Sequence, residues 1–133
     1  MKIHHVGIAV ESLSAAIPIF EKLLGRAPDS EESVADQKVR VAVFNLPGSR
    51  IELLEATSPE SPIGKFIDKR GEGIHHICLR VDDIETHLAR LQAQGFRLIN
   101  EAPVPGAHGC RVAFLHPAAG NGVLIELSEL LDE

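Results

Sequence analysis

Apolar residues recur every three or four positions in a segment near the start of the chain, the spacing of an amphipathic helix. Gly25 follows the last apolar position and supplies a C-terminal stop. We predict a helix over residues 14–24 with Ser14 as its N-cap. Pro18 would then fall in the first turn, where backbone N–H groups lack helical partners and proline is tolerated. The apolar positions are Leu13, Ala16, Ile17, Phe20, Leu23 and Leu24.

Two further segments also read as helical. Ile84, Leu88 and Leu91 form an apolar stripe that follows an Asp82-Asp83 pair and ends at Gly95. Between the halves of the chain, a short helix-like piece over residues 63–70 begins after Ser61-Pro62 and ends before Gly71. We interpret this piece as a linker helix.

Short runs rich in Val, Ile and Leu, bounded by turn residues, predict strands. In the first half they cover residues 6–10, 30–36, 39–46 and 50–56, of which 30–36 is the weakest. In the second half they cover 77–81, 97–101, 111–116 and 122–128. Pro47-Gly48 and residues 117–122 supply turns.

The chain carries an internal repeat. Ile-His-His-Val at residues 3–6 returns as Ile-His-His-Ile at 74–77, and Ile-Glu-Leu at 51–53 returns at 125–127. Each copy reads β-α-β-β-β. We therefore predict an α+β fold of two tandem βαβββ modules within one domain, 1–133, with repeat one at about 1–58, the linker helix at about 61–71 and repeat two at about 72–130.

One histidine and one glutamate per repeat stand out chemically. Side chains alternate along a strand, so His5 shares a face with the small residues Gly7 and Ala9, which leaves space beside its ring. His76 stands at the matching position. Glu52 and Glu126 each interrupt a run of Ile and Leu, where a charged group needs a partner. Two imidazoles and two carboxylates suit Zn, Mn, Co, Ni or Fe(II), and predict a metal site between the repeats.

Simpler interpretations compete at each position. A single His or Glu at a strand edge is most often solvated, and only its symmetric return favours a ligand. Structural roles are expected for the remaining histidines and for one thiol: His4 and His75 on the opposite strand face, His87 on a helix surface, His108 in a loop, His116 as a turn cap, and Cys78 as a small buried thiol.

Composition narrows the classes of partner. Thirteen basic against nineteen acidic residues give a net charge of −6, which disfavours nucleic acids and anionic membranes. No apolar run approaches the roughly 20 residues that span a bilayer, and no export signal is recognisable. Two cysteines in a chain of this length do not imply a disulfide framework. We expect a reduced, cytoplasmic protein.

The segments IHHVGIAV, RIELLEA, GEGIHHICLRVDDI and FLHPAAGNGVLIEL resemble the vicinal oxygen chelate superfamily, and within it the methylmalonyl-CoA epimerase family. The resemblance implies sheets that form a cup around one divalent metal ion, and a homodimer. It places the metal ligands at His5, Glu52, His76 and Glu126, the same four residues that the repeat selects.

The resemblance also implies an activity: interconversion of (2R)- and (2S)-methylmalonyl-CoA through an enolate, with Glu126 as both metal ligand and base. Some family members carry a second glutamate where this chain has Val41, so no second base is assigned. Arg111, in the glycine-rich stretch 105–111, is a candidate for substrate binding. A mere turn explains the stretch 105–111 equally well. Lys65, Lys69 and Arg70 offer a basic area for an acyl-CoA, although a solvated helix face is the preferred interpretation of these three residues.

Two other functions stay open on the sequence. A glyoxalase I-type, glutathione-dependent isomerase of the same superfamily would use the same four ligands. A non-catalytic small-molecule-binding protein of the superfamily would generally lack that ligand set.

Overall fold

A computed structural model describes residues 1–106 and 109–131. The chain divides into two compact units, which we call the N-terminal unit (residues 5–75) and the C-terminal unit (residues 76–133 together with 1–4). The mixed α+β class expected from the sequence is confirmed. Its strands are β1 (Lys2–Ala9), β2 (Ser30–Val34), β3 (Val39–Leu46), β4 (Ser49–Ala56), β5 (Gly73–Arg80), β6 (Val104–Pro105), β7 (Cys110–Leu115) and β8 (Leu124–Leu130), and its helices are α1 (Leu13–Leu24), α2 (Pro62–Arg70) and α3 (Ile84–Ala93).

The N-terminal unit places helices on both faces of its strands. The strand order is β2-β3-β4-β1, in which β1 runs parallel to β4 and the other pairs are antiparallel. Because side chains alternate, Leu53 packs with Leu13 and Phe44 on the α1 side, whereas its neighbour Leu54 packs with Ile63 on the α2 side. The face that carries Leu54 is also the face that carries Glu52.

The C-terminal unit repeats this arrangement with one helix. Its order, β5-β8-β7-β6, again pairs the first strand with the last in parallel. The predicted stripe on α3 (Ile84, Leu88 and Leu91) packs against Leu115 and Leu127. The βαβββ pattern of both repeats is therefore confirmed, while the boundaries of the single domain stay a prediction.

The start of α1 differs from the sequence-based expectation. Ser12, not Ser14, is the N-cap, and its side chain accepts a hydrogen bond from the backbone N–H of Ala15. Pro18 therefore lies at the sixth helical position rather than in the first turn. Glu55 explains the earlier start, because its carboxylate accepts a hydrogen bond from the N–H of Leu13 at 2.9 Å and satisfies the first free donor of the helix.

The strand predicted over residues 97–101 is wrong. Among residues 97–101 only Leu98 makes an isolated bridge, to Leu115, and the strand that pairs with β7 on the side away from β8 is the two-residue β6. The side chain of Asn100 accepts from the N–H of Phe114, so a side chain takes a place that a backbone partner would fill in a regular ladder. The alternation of apolar residues in the sequence does not show that a side chain replaces a backbone hydrogen-bond partner at this position.

The predicted linker helix is present as α2, capped at Ser61 and ended by Gly71. Gly64 lets it approach the preceding loop closely, because a Cβ atom there would lie 2.8 Å from the carbonyl oxygen of Ser58. Within residues 1–106 and 109–131, the structure has no helix with the length and apolar content to span a membrane.

Candidate functional site

In the N-terminal unit, neighbouring strands bring His5 and Glu52 together. Strand β1 pairs in parallel with β4, with Gly7 opposite Glu52, so His5 and Glu52 project from the same face. The Nδ1 atom of His5 lies 3.6 Å from Oε2 of Glu52, and both side chains are less than one-fifth exposed. Gly7, which stands opposite Glu52 on that face, has no side chain.

Burial sets the charge state of Glu52. It raises the pKa of the Glu52 carboxyl to about 7, while nearby Arg50 acts to lower that pKa and Glu32 adds to the rise. Near neutral pH the carboxyl is therefore close to the balance between its neutral and charged forms. The charged form of such a buried carboxyl is unfavourable by itself and is stabilised by a cation placed beside it.

The C-terminal unit contains a matching pair. The Nε2 atom of His76 lies 3.7 Å from Oε1 of Glu126, with side-chain exposures of 11% and 14%. Cys78 stands opposite Glu126 in the register, where Gly7 stands opposite Glu52. Each unit thus presents one imidazole and one carboxylate in contact range on one strand face, and each pair could bind a metal ion.

The neighbours across the third strand are apolar. Val43 on β3 stands opposite Glu52, and Phe114 on β7 stands opposite Glu126. Each His–Glu pair therefore borders one bulky hydrocarbon side chain, which limits access of water to the carboxylate. A nitrogen ligand and an oxygen ligand that are shielded from water in this way suit a divalent ion better than the same two ligands on a solvated surface would.

Arg111, the candidate for substrate binding, has strong internal partners. Its Nε and one terminal nitrogen both donate to Oε1 of Glu129, at 3.1 and 2.5 Å, and the same terminal nitrogen lies 3.5 Å from Glu85. These contacts raise the pKa of the Arg111 guanidinium, the hydrogen bond to Glu129 contributing most. Its substrate role stays a prediction.

Several expectations about the other residues are met. His116 accepts a hydrogen bond from the N–H of Ala118 at 3.0 Å and caps a turn. Cys78 is fully buried. His75 packs edge-on against Phe66 of α2, and burial lowers the pKa of its imidazole. His108 lies outside the described residues.

Val41 stands where some members of the resembling family carry a second glutamate. Val41 is buried on β3, opposite Leu54, and belongs to the cluster that packs under α2. No proton-transfer group stands there. Arg50 precedes Glu52 by two positions on the same strand and therefore shares its face, although the repeat pattern gives no signal for it.

The family-wide comparison agrees with this architecture. A model of the glyoxalase/bleomycin resistance protein/dioxygenase superfamily matches residues 4–114. The fold is thus that of a vicinal oxygen chelate protein, as the resemblance implied.

Individual relatives show which family within the superfamily this chain is similar to. An ethylmalonyl-CoA/methylmalonyl-CoA epimerase of Cereibacter sphaeroides is 40% identical over 131 residues, which is 97% of this chain and 98% of the relative. The mitochondrial methylmalonyl-CoA epimerase of Homo sapiens is 36% identical over 129 residues, 96% of this chain and 73% of the relative.

Solved structures agree. The methylmalonyl-CoA epimerase of Mycobacterium tuberculosis has a TM-score of 0.85 at 40% identity, with 98% of this chain and 89% of that chain covered. A methylmalonyl-CoA epimerase in complex with methylmalonyl-CoA and NH4+ has a TM-score of 0.85 at 34% identity, with 97% and 94% covered. The chain belongs to the methylmalonyl-CoA epimerase family of this superfamily.

Proposed function

We propose that this chain is a metal-dependent epimerase that interconverts (2R)- and (2S)-methylmalonyl-CoA. The observation that carries the proposal is the duplicated contact, His5 with Glu52 and His76 with Glu126, at 3.6 and 3.7 Å. The near full-length likeness to methylmalonyl-CoA epimerases supplies the substrate class.

The proposed site combines the two pairs around one divalent ion, Co, Mn, Zn or Ni. Support comes from the donor set, since two imidazole nitrogens and two carboxylate oxygens suit these ions, and from the buried carboxyl of Glu52, whose charged form needs a positive partner. When bound, such an ion would supply Lewis-acid stabilisation of the negative charge that develops on the thioester oxygen, an effect of several kcal/mol.

The protein's own task is to move a proton. The hydrogen between the thioester and the carboxylate leaves the α-carbon as a proton, and its electron pair is delocalised onto the thioester oxygen. We assign Glu126 as the acceptor of that proton, since its carboxylate is mostly buried and held beside His76. Return of a proton to the opposite face of the planar carbon completes the inversion.

The return step needs a proton source other than residue 41. Because Val41 carries no acid, we assign this step to a bound water rather than to Glu55, whose carboxylate is occupied by the N–H of Leu13. The hydroxide that the water leaves is neutralised by the proton that Glu126 took up, so the cycle consumes no net acid or base. The homodimer implied by the family resemblance stays a prediction, as does the identity of the ion.

Solvent isotope exchange tests the proposal. Protein loaded with Co or Mn is incubated with pure (2R)- or (2S)-methylmalonyl-CoA in deuterated water, and α-deuterium and stereochemistry are followed by NMR. We expect racemisation together with deuterium uptake, and loss of both after chelation. Absence of racemisation and of deuterium uptake would remove the proposal, and a parallel assay with the hemithioacetal of methylglyoxal and glutathione would show whether the glyoxalase I-type reaction replaces it.

A further inference from the structure

Arg50 differs from Arg26 and Arg40, two other arginines of its unit. Arg26 pairs with Asp29 and Arg40 pairs with Glu31. Arg50 is half-buried, yet over residues 1–106 and 109–131 it makes no hydrogen bond or ion pair with another described residue. A guanidinium partly removed from water keeps its charge and five donors, so it favours an anionic partner from outside the chain.

The position of Arg50 ties it to the His5–Glu52 pair. In the strand register Arg50 stands directly opposite His5, and it precedes Glu52 by two residues on the same face. Residues two apart on a strand lie roughly 6.5–7 Å apart, within reach of an arginine side chain. Arg50 acts to lower the pKa of the Glu52 carboxyl, which is consistent with this proximity.

The other end of the same face is already covered. Ala9 and Leu54, further along β1 and β4, pack in the cluster under α2 with Ile63. Arg50 and Asn45, which are register neighbours, lie at the end away from that cluster. Arg50 therefore lies on the part of this face that the cluster under α2 does not cover.

We propose that Arg50 is a specificity-determining residue that binds the free carboxylate of a dicarboxylic acyl thioester. This inference rests on the proposed function, since it assumes that the acyl end of the substrate lies beside Glu52. A guanidinium and a carboxylate can form two parallel charge-assisted hydrogen bonds. A monocarboxylic acyl-CoA lacks the second carboxyl group and would leave Arg50 unpaired, which is the physical basis for discrimination.

Coenzyme A carries a second kind of anion, its phosphates. The position of Arg50 favours the carboxylate, because the phosphates are separated from the thioester by the whole pantetheine arm, whereas the carboxylate is bonded directly to the α-carbon that reacts. A pair of ligands separates the two sources: methylmalonyl-CoA and propionyl-CoA share every phosphate and differ in the carboxylate.

Binding of both ligands is measured by titration calorimetry on metal-loaded wild-type protein, Arg50→Gln and Arg50→Lys. We expect Arg50→Gln to weaken methylmalonyl-CoA roughly 10- to 100-fold and to change propionyl-CoA less than about twofold. Arg50→Lys should recover part of the loss, since it keeps the charge and loses the planar fork. Arg40→Gln removes an exposed charge from the adjacent strand and should leave both affinities unchanged.

Equal weakening of both ligands by Arg50→Gln would place the contact on the CoA phosphates and overturn the assignment, and so would unchanged affinity for both. The thermal midpoint of each variant shows whether it is folded. Failure of the proposed function is distinguishable, because it appears as wild-type protein that exchanges no α-hydrogen, while the calorimetric comparison needs no turnover.

Discussion

The Nε2 atom of His76 lies 3.7 Å from Oε1 of Glu126, and the same two residue types meet at 3.6 Å in the N-terminal unit. The residues around the two pairs differ, since Gly7 and Val43 flank Glu52 whereas Cys78 and Phe114 flank Glu126. The repeat therefore preserves the contact between an imidazole and a carboxylate more closely than it preserves the packing around that contact.

Glu126→Gln should abolish racemisation and α-deuterium uptake while leaving the fold intact. The amide preserves the volume of the side chain but cannot accept the α-proton, and loss of a positioned base costs roughly 100- to 10,000-fold in rate. Activity is measured by deuterium uptake, and folding by the thermal midpoint.

Glu101→Gln is the matched control, because Glu101 is exposed and belongs to the same unit. It should keep full activity. Full activity in Glu126→Gln would contradict the assignment of Glu126 as the base, whereas equal losses in both variants would indicate a general effect of removing one negative charge.

Metal content should depend on both units. If one ion is shared, wild-type protein binds one equivalent of Co or Mn, and His5→Ala and His76→Ala each weaken binding of that same equivalent by at least about tenfold, as losses at metal sites generally do. The measurement is elemental analysis after equilibrium dialysis at graded free-ion concentrations.

His87→Ala serves as the control, because His87 lies on α3 and contacts Arg90 rather than a glutamate pair. It should bind metal as the wild type does. If His5→Ala abolishes one equivalent and leaves a second, independent equivalent intact, the two pairs act as separate sites and the shared ion is wrong.

Pro18→Ala should stabilise the protein. Pro18 is exposed at the sixth position of α1, where its ring removes a helical hydrogen bond that alanine would restore. Part of that gain is offset by the greater freedom of alanine in the unfolded chain, so we expect an increase of about 1–2 kcal/mol in the free energy of unfolding. Urea unfolding checks this value, and an unchanged or lower free energy would show that the helix already accommodates the ring.

Local sequence patterns predicted most of the fold. The periodicity of Ile84, Leu88 and Leu91 identified α3 from nearby residues, and the recurrence of Ile-His-His identified the repeat, because both signals are visible in the order of residue types alone. The start of α1 could not be predicted in the same way, since it depends on Glu55, which lies 42 residues from Leu13 in the chain. The failure at residues 97–101 has a similar cause, as Asn100 replaces a backbone partner of Phe114.

The residues of the candidate site also differ in whether the sequence could predict them. His5, Glu52, His76 and Glu126 could be selected because the same two residue types return at matching positions of the repeat. The ion pair between Arg111 and Glu129 depends on the register of β7 and β8, which the strand pattern does not specify. Arg50 was missed for the opposite reason: its position two residues before Glu52 was visible, but only the structure shows that it makes no hydrogen bond or ion pair with the residues that are described.

The stability of the metal-free protein should fall as pH rises from about 4.5 to about 7, owing to Glu52. Its pKa is about 7 in the folded protein against an ordinary value of 4.5, so the folded state binds this proton more tightly than the unfolded state does. By linkage, the free energy of unfolding then decreases with pH across this window and is constant with respect to Glu52 outside it. The total change is on the order of 3 kcal/mol. Glu52→Gln has no such proton, so it serves as the comparison. Chelator-treated wild type and variant are unfolded in urea at pH 5 and at pH 8. All other titratable groups are present in both proteins, so their contributions cancel in the difference between the two free energies of unfolding. We expect the variant to gain stability relative to the wild type at pH 8, and a difference that is the same at both pH values would contradict the buried, hard-to-charge carboxyl on which the N-terminal ligand pair depends.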